Sequence, residues 1–332
     1  MSGDVIQYGR RVRITLDAGG RSVLVTDSEP DEDRGLQATF RVERYLRREP
    51  MRASAIVWGM AQERREDLTR ICDEALETAW RTRTTRQIGR VKIEAGRPGA
   101  FGQLFVGQIQ EVKHERDGAN WRTEITALDG RLEWEEARVS ETIVPGVELS
   151  TYLDVLKASE DVIMGKQPLE AFAERFRDLA QIKGVNGYEQ GFALTGPSRD
   201  VNQSIMDLLG VDIFFVDGIE KWLPKGRCLS DPAIVLVRGE TLLSETRVAR
   251  GYSDALTWLD PRFTVGLQVQ LREQDGRPIR ALAHRVESAT FDASTWERAW
   301  YARLRLRPSA LDSGAAPPVS FSEVLDAALA GT

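Results

Sequence analysis

The sequence predicts a mainly β (α+β) fold built from antiparallel sheets or small barrels. Two observations carry this: repeated period-two alternation with one wet face, and Asp-Gly turns between strand-like runs. Val12, Ile14 and Leu16 alternate with Arg11, Arg13 and Thr15. Val91, Ile93 and Ala95 alternate with Arg90, Lys92 and Glu94, and Trp121, Thr123, Ile125 and Ala127 with Arg122, Glu124 and Thr126. The pattern returns at Val265–Leu271 and again at Trp300–Leu306, where Arg303, Arg305 and Arg307 fill the alternate places. Side chains of a strand point to opposite faces in turn, so this is the signature of half-buried antiparallel strands, not of a buried parallel sheet.

The turns agree. Asp217-Gly218 separates Val211–Val216 from Ile219–Leu223. A two-residue type I′ turn needs positive φ at both central positions, which Asp-Gly tolerates, so a hairpin is predicted there. Asp117-Gly118 and Asp275-Gly276 predict two more, with slightly longer loops.

Helices interrupt the strands. Leu68, Ile71, Cys72, Ala75, Leu76 and Ala79 recur at steps of three and four, predicting a helix over 61–80 with Cys72 in the core. Two more are predicted at 148–160 and 167–182, with Pro168 in a first turn. A fourth runs over 198–209, started by Ser198 and stopped by Gly210. The expected organisation is a first β-domain over 1–145 with the inserted helix 61–80, then a helical segment plus hairpin over 146–228. A second β-domain follows over 229–308, and 309–332 forms a linker and a C-terminal helix, Phe321–Leu329. The two β-domains are of similar kind, without close sequence repetition.

Composition sets the class. The 332 residues are 42% hydrophobic and 29% charged, enough apolar material for a real core. A net charge of −6 argues against a broad basic face for nucleic acid. The two cysteines, Cys72 and Cys228, stand far apart in no metal-ligand spacing and read as packed thiols of a reducing compartment. No apolar signal segment opens the chain, and no run reaches the ~20 apolar residues of a membrane span. Synthesis in a cytoplasm, without membrane insertion, is expected.

Candidate chemistry is sparse. His114 and His284 sit in strand-like runs without Cys, Asp or Glu at zinc-ligand spacing. Gly96, Gly99 and Gly102 follow a strand, as a phosphate loop would, but Gln103–Val112 after them is another strand. Without a helix N-terminus there is no aligned set of amide donors, so a hairpin loop is expected. Asp31, Glu32 and Asp33 form a charge run beside Pro30, and Glu133, Glu135 and Glu136 flank Trp134. Each reads as solvated charge; a carboxylate pair would need a spatial separation that sequence does not give. No catalytic, cofactor-binding or metal residue is assigned. Of the eight tryptophans, Trp58, Trp121, Trp134, Trp222, Trp258, Trp296 and Trp300 lie in or beside strand-like runs, as core residues or interface anchors.

Several segments, taken in order, resemble a known family. Phe40–Arg44, Ala55–Met60, Arg90–Gly96 and Leu104–Ile109 are similar to the first domain of phage tail baseplate hub proteins, the late control D-like group of contractile tails and related injection systems. Leu194–Val201, Leu209–Gly218 and Leu223–Gly226 resemble the middle section of that family, and Leu259–Gly266 with Ala283–Ser288 the last domain. The resemblance spans about residues 36–305. It implies two small antiparallel β-barrel domains per subunit with inserted helical and α+β parts. It further implies a homotrimer whose six barrels form a pseudo-sixfold ring between a hexameric tail tube protein and a trimeric central spike protein. Tape measure and baseplate wedge proteins are further neighbours, DNA is met only in transit, and the location is the virion tail baseplate. No cofactor is implied. A mildly acidic bore would let DNA pass without sticking. Two departures stand out: helix 61–80 with the Arg/Thr-rich Arg81–Arg86 is longer than the usual connection, and the tail after Pro308 lies outside the resemblance. Two other readings compete, a distal-tube or wedge adaptor of the same kind of machine and an enzyme using Glu133 or Glu135.

Overall fold

The computed structural model describes residues 9–28, 36–46, 50–82, 89–129, 137–143, 163–164, 192–201, 203, 211–229, 233–248, 251–279 and 283–309. The first half of the chain supplies β1 (Arg11–Ala18), β2 (Arg21–Asp27), β3 (Ala38–Tyr45), β4 (Met51–Trp58), α1 (Gln62–Thr82), β5 (Arg90–Arg97), β6 (Ala100–Asp117) and β7 (Asn120–Asp129). The middle carries β8 (Arg138–Ile143), β9 (Ile163–Met164), β10 (Phe192–Pro197), β11 (Val211–Val216) and β12 (Ile219–Pro224). The last part holds β13 (Ile234–Val237), β14 (Leu242–Arg247), β15 (Ser253–Trp258), β16 (Gln268–Arg272), β17 (His284–Ser294) and β18 (Trp300–Pro308). The fold is mainly β, as the alternation predicts.

Alternation becomes burial directly. In β1, Val12, Ile14 and Leu16 are buried while the arginines between them reach solvent. In β18, Trp300, Ala302, Leu304 and Leu306 are buried and the alternate arginines stand outward. The outward row is stitched across strands by opposite charges. Arg305 pairs with Asp254 at 3.0 Å, Arg41 with Asp292 at 3.6 Å, and Arg13 with Asp27 at 2.7 Å. α1 lays Leu68, Ile71, Cys72 and Ala75 on the same core.

Strand pairing joins the two ends of the chain into one sheet of 13 strands, ordered β14-β15-β18-β17-β3-β4-β7-β6-β5-β1-β2, with β16 beside β17 and β13 beside β16. Two five-strand runs in it share one plan. β3-β4-β7-β6-β5 and β14-β15-β18-β17-β16 have the same chain order, the same neighbours and antiparallel pairing throughout. Their irregularities coincide as well. β6 bulges at Ile109/Glu111 against β7, and β17 bulges at Val286/Ser288 against β18. Ile109 N donates to Gly89 O just as Val286 N donates to Leu267 O. In register, Ala55-Ile56-Val57-Trp58 of β4 answers to Ala255-Leu256-Thr257-Trp258 of β15, a four-residue trace of repetition that the sequence alone left unremarked. The repeat ends there: β1 is antiparallel to β5, whereas β13 is parallel to β16.

The two runs meet at a seam, where β3 pairs antiparallel with β17 from Thr39↔Ser294 to Tyr45↔Ser288. The β11–β12 hairpin forms as predicted, with Asp217 at φ 57° and Gly218 at φ 78°. Residues 198–201 are helical from Ser198, and the remainder of the predicted 198–209 helix lies largely outside the described residues. So do the predicted helices 148–160, 167–182 and Phe321–Leu329. Within the described residues no helix is long and apolar enough to cross a membrane.

Candidate assembly interface

The candidate catalytic and ligand-binding residues resolve into structural parts. His114 bridges two hydroxyls, Thr69 of α1 at 3.1 Å and Thr123 of β7 at 3.0 Å, and burial pushes its pKa down. His284 is buried in β17. Burial pushes the Cys72 thiol up to about 11, which leaves little thiolate at neutral pH, and neither Cys72 nor Cys228 is in a disulfide. Gly96, Gly99 and Gly102 belong to a tight β5–β6 hairpin in which Arg97 faces Ala100. Pro98 presets its own φ and Gly99 takes φ 83°. A Cβ on Gly96 would lie 2.0 Å from Ala100 O, so that glycine serves close backbone approach within the hairpin. Among the described residues no cluster of three or more His, Cys, Asp or Glu could hold a metal. The acidic runs at Asp31–Asp33 and Glu133–Glu136 lie outside the described residues.

What the structure does bring together is a set of buried charges where its parts meet. Arg44 of β3 is 3% exposed. Its guanidinium donates to Phe263 O at 2.8 Å and to Leu104 O, faces Asp217 Oδ1 at 3.9 Å and lies over the Phe291 ring. Burial lowers the pKa of Arg44, and the carboxylates of Asp217 and Asp129 oppose that shift. Asp217 Oδ1 also accepts Val106 N at 3.1 Å, while Gly218 N donates to Asp129 Oδ1 at 2.9 Å. One arginine therefore ties together β3, β6, the 263 loop and the turn of the middle hairpin.

Two further arginines repeat the theme. Arg285 of β17 reaches Asp212 of β11 at 3.1 Å and Glu287 at 2.6 Å. Burial pushes the Asp212 carboxyl up, and Arg285 counters it. Arg10 donates to Glu297 O at 2.6 Å and Ser294 O at 3.3 Å, beneath the Trp300 ring, and so fixes the β17–β18 loop. Sequence reasoning missed all three. Arg44 carried a usable signal, since it shares inward parity with Phe40 and Val42 in β3. Arg10 lies outside any strand, and Arg285 falls in a stretch where three successive residues are buried.

Several large apolar side chains stand on the surface. Trp296 on the loop fixed by Arg10 is 50% exposed and stacks edge-on against Trp58, with ring centroids 5.7 Å apart. Trp121 is exposed beneath the Arg65 guanidinium, 4.0 Å from its ring centroid. Trp300 is core, and Trp258 packs under Arg97. Trp134 and the side chain of Trp222 lie outside the described residues. At the two ends of the sheet, among the described residues, β2 has a strand partner on one side only and β14 has β15 on one side and a single bridge, Arg238↔Leu242, on the other; they carry the exposed Leu24 and Leu243.

No protein-family model matches the sequence, and no curated protein matches it significantly. Solved structures do share its fold. The prophage MuSo2 43 kDa tail protein from Shewanella oneidensis is 10% identical with a TM-score of 0.55, over 89% of this chain and 97% of that one. The E. coli c3393 protein is a component of the type VI secretion system with structural similarity to the T4 bacteriophage tail proteins gp27 and gp5. It is 11% identical with a TM-score of 0.53, over 86% of this chain and 76% of that one. The chain thus has a fold found in phage tail and type VI secretion proteins.

Proposed function

We propose that this chain is a non-catalytic structural baseplate hub of a phage tail or related injection system. Three copies form a pseudo-sixfold ring that joins the hexameric tail tube to the trimeric central spike and lets DNA pass. Residues 1–145 and 229–308 are its two barrel domains, 146–228 an inserted part, and 309–332 a linker and terminal helix. The observation that supports this reading is the five-strand plan occurring twice in one chain and joined by the β3–β17 seam. Two like units per subunit are what a trimer needs to present six-fold contacts on one side and three-fold contacts on the other. The buried arginines fix the two units and the middle hairpin as one body, as an adaptor under load requires. Imaging of intact particles tests the proposal. The expected result is density for three copies at the junction of tube and spike; a position along the sheath or at the tail periphery would overturn it.

A further inference from the structure

The seam inside the chain predicts the seam between chains. We infer that the open edge of β14 pairs with β6 of a second copy of this chain, in the register that β3 adopts on β17. This rests on the ring reading and adds the interface to it.

The five-strand repeat makes β14 the counterpart of β3, and β6 the counterpart of β17. β17 accepts β3 beyond the point where its pairing with β16 stops, from Ser288 to Ser294. β6 has the same vacant edge. Its pairing with β5 ends at Gln108, while its pairing with β7 continues to Asp117. Among the described residues no strand pairs with that side of β6, and the outer side of β14 carries only an isolated bridge at its first residue, Arg238↔Leu242, which leaves Ser244–Arg247 without a strand partner there. Such edges carry unpaired backbone donors and acceptors and are templates for another strand.

The matching bulges fix the register. They make Glu111 the counterpart of Ser288, so Arg116 is the counterpart of Ala293. Phe40 and Glu245 are counterparts because they face Ala55 and Ala255. Since Phe40 faces Ala293 within the chain, Glu245 faces Arg116 of the second copy. Thr246 then faces Glu115, and Ser244 faces Asp117. The lead pair is complementary in charge. Glu245 points to the inward side, where its side chain is 7% exposed and reaches Arg238 at 3.8 Å, at the place Phe40 holds in the other unit. A carboxylate there suits an arginine arriving from outside, and opposite charges directly across strands are favourable. The junction is heterologous, and heterologous contacts close into rings when the rotation allows it.

The test is a disulfide across the inferred pair in the full chain. Glu245→Cys with Arg116→Cys, oxidised and run without reductant, is expected to give covalent dimer and trimer. The unsubstituted chain, which keeps Cys72 and Cys228, is expected to give neither. Glu245→Cys with Lys113→Cys, off register, is expected to yield at least tenfold less. As a second readout, Glu245→Arg should raise the concentration for half-assembly at least tenfold by mass photometry, and adding Arg116→Glu should bring it back to within about threefold. Trimers that form without a 245–116 cross-link, or that cross-link equally at 113, overturn the inferred seam and leave the hub reading standing. Correct cross-links in a particle whose ring lies away from the tube–spike junction overturn the hub reading and leave the seam.

Discussion

Replacing Arg44 by Ala tests whether its buried charge cluster holds the parts together. The substitution removes the cation facing Asp217 and the donors to Phe263 O and Leu104 O, at a site 3% exposed. Losing one partner of a fully buried ion pair costs about 3–5 kcal/mol; here the remaining carboxylate, Asp217, is 23% exposed and water meets part of its charge, so about 2 kcal/mol is expected from the pair. Each orphaned carbonyl adds about 1 kcal/mol where water cannot reach it. With the two carbonyls, about 4 kcal/mol is expected in total. Asp217→Asn is the control. It keeps an oxygen to accept Val106 N and a side chain tolerant of φ 57°; Arg44 retains its two carbonyl acceptors and the nearby Asp129 carboxylate, so only about 1 kcal/mol is expected. Urea unfolding followed by tryptophan fluorescence reads both. With a slope of about 3 kcal/mol/M, Arg44→Ala should lower the midpoint by about 1.3 M and Asp217→Asn by about 0.3 M. An Arg44→Ala midpoint within about 0.2 M of the parent would refute the argument. So would an Asp217→Asn loss as large as that of Arg44→Ala.

Two other perturbations follow from the described geometry. Asp27 accepts from Arg11 at 2.9 Å and from Arg13 at 2.7 Å, and the Arg11 hydrogen bonds chiefly hold its carboxyl below 3.8. A depressed folded-state pKa contributes stability that is present above the unfolded value and lost as pH falls through the folded one. Asp27→Asn should therefore lower the melting temperature at pH 7, by the equivalent of about 1 kcal/mol, and the gap should close below pH 3.8. Thermal melts of both proteins across that range check it, and a gap constant with pH would count against the ion pairs. In the β5–β6 hairpin, Gly96→Ala places a methyl 2.0 Å from Ala100 O, whereas Gly99→Ala, at φ 83°, meets nothing within 4 Å. The first should cost more than about 3 kcal/mol and the second about 1–2. Equal melting temperatures for the two variants would exclude the close-approach role of Gly96.

The strands were legible because each carries its own pattern. Val12–Leu16 and Trp300–Leu306 show one buried and one wet face without reference to any other part of the chain. The Asp217-Gly218 turn was legible for the same local reason. Pairing partners were not. That β3 lies against β17 depends on residues about 250 positions apart, and neither strand's alternation names the other. The twofold plan was hidden because it resides in connectivity, with only short likenesses left in sequence, such as Ala55–Trp58 with Ala255–Trp258 and Val91–Ile93 with Val269–Leu271. The buried arginines were hidden because residue type outweighed position. Arg44 occupies an inward place, yet an arginine among alternating charges reads as surface. Arg285 sits beside the β17 bulge, where alternation is interrupted.

The seam also orders events during synthesis. β3 leaves the ribosome early, but β17, the strand that covers its edge, is made about 250 residues later. At 5–20 residues per second that interval is about 12–50 s, during which β3 offers an open edge. Arg10 waits still longer for its acceptor, since Ser294 lies 284 positions downstream. Chains that stop short of β17 lack both the covering strand and the loop that presents Trp296. A product that ends before β17 therefore cannot complete the seam within its own chain, and a closed seam reports that synthesis has passed Ser294.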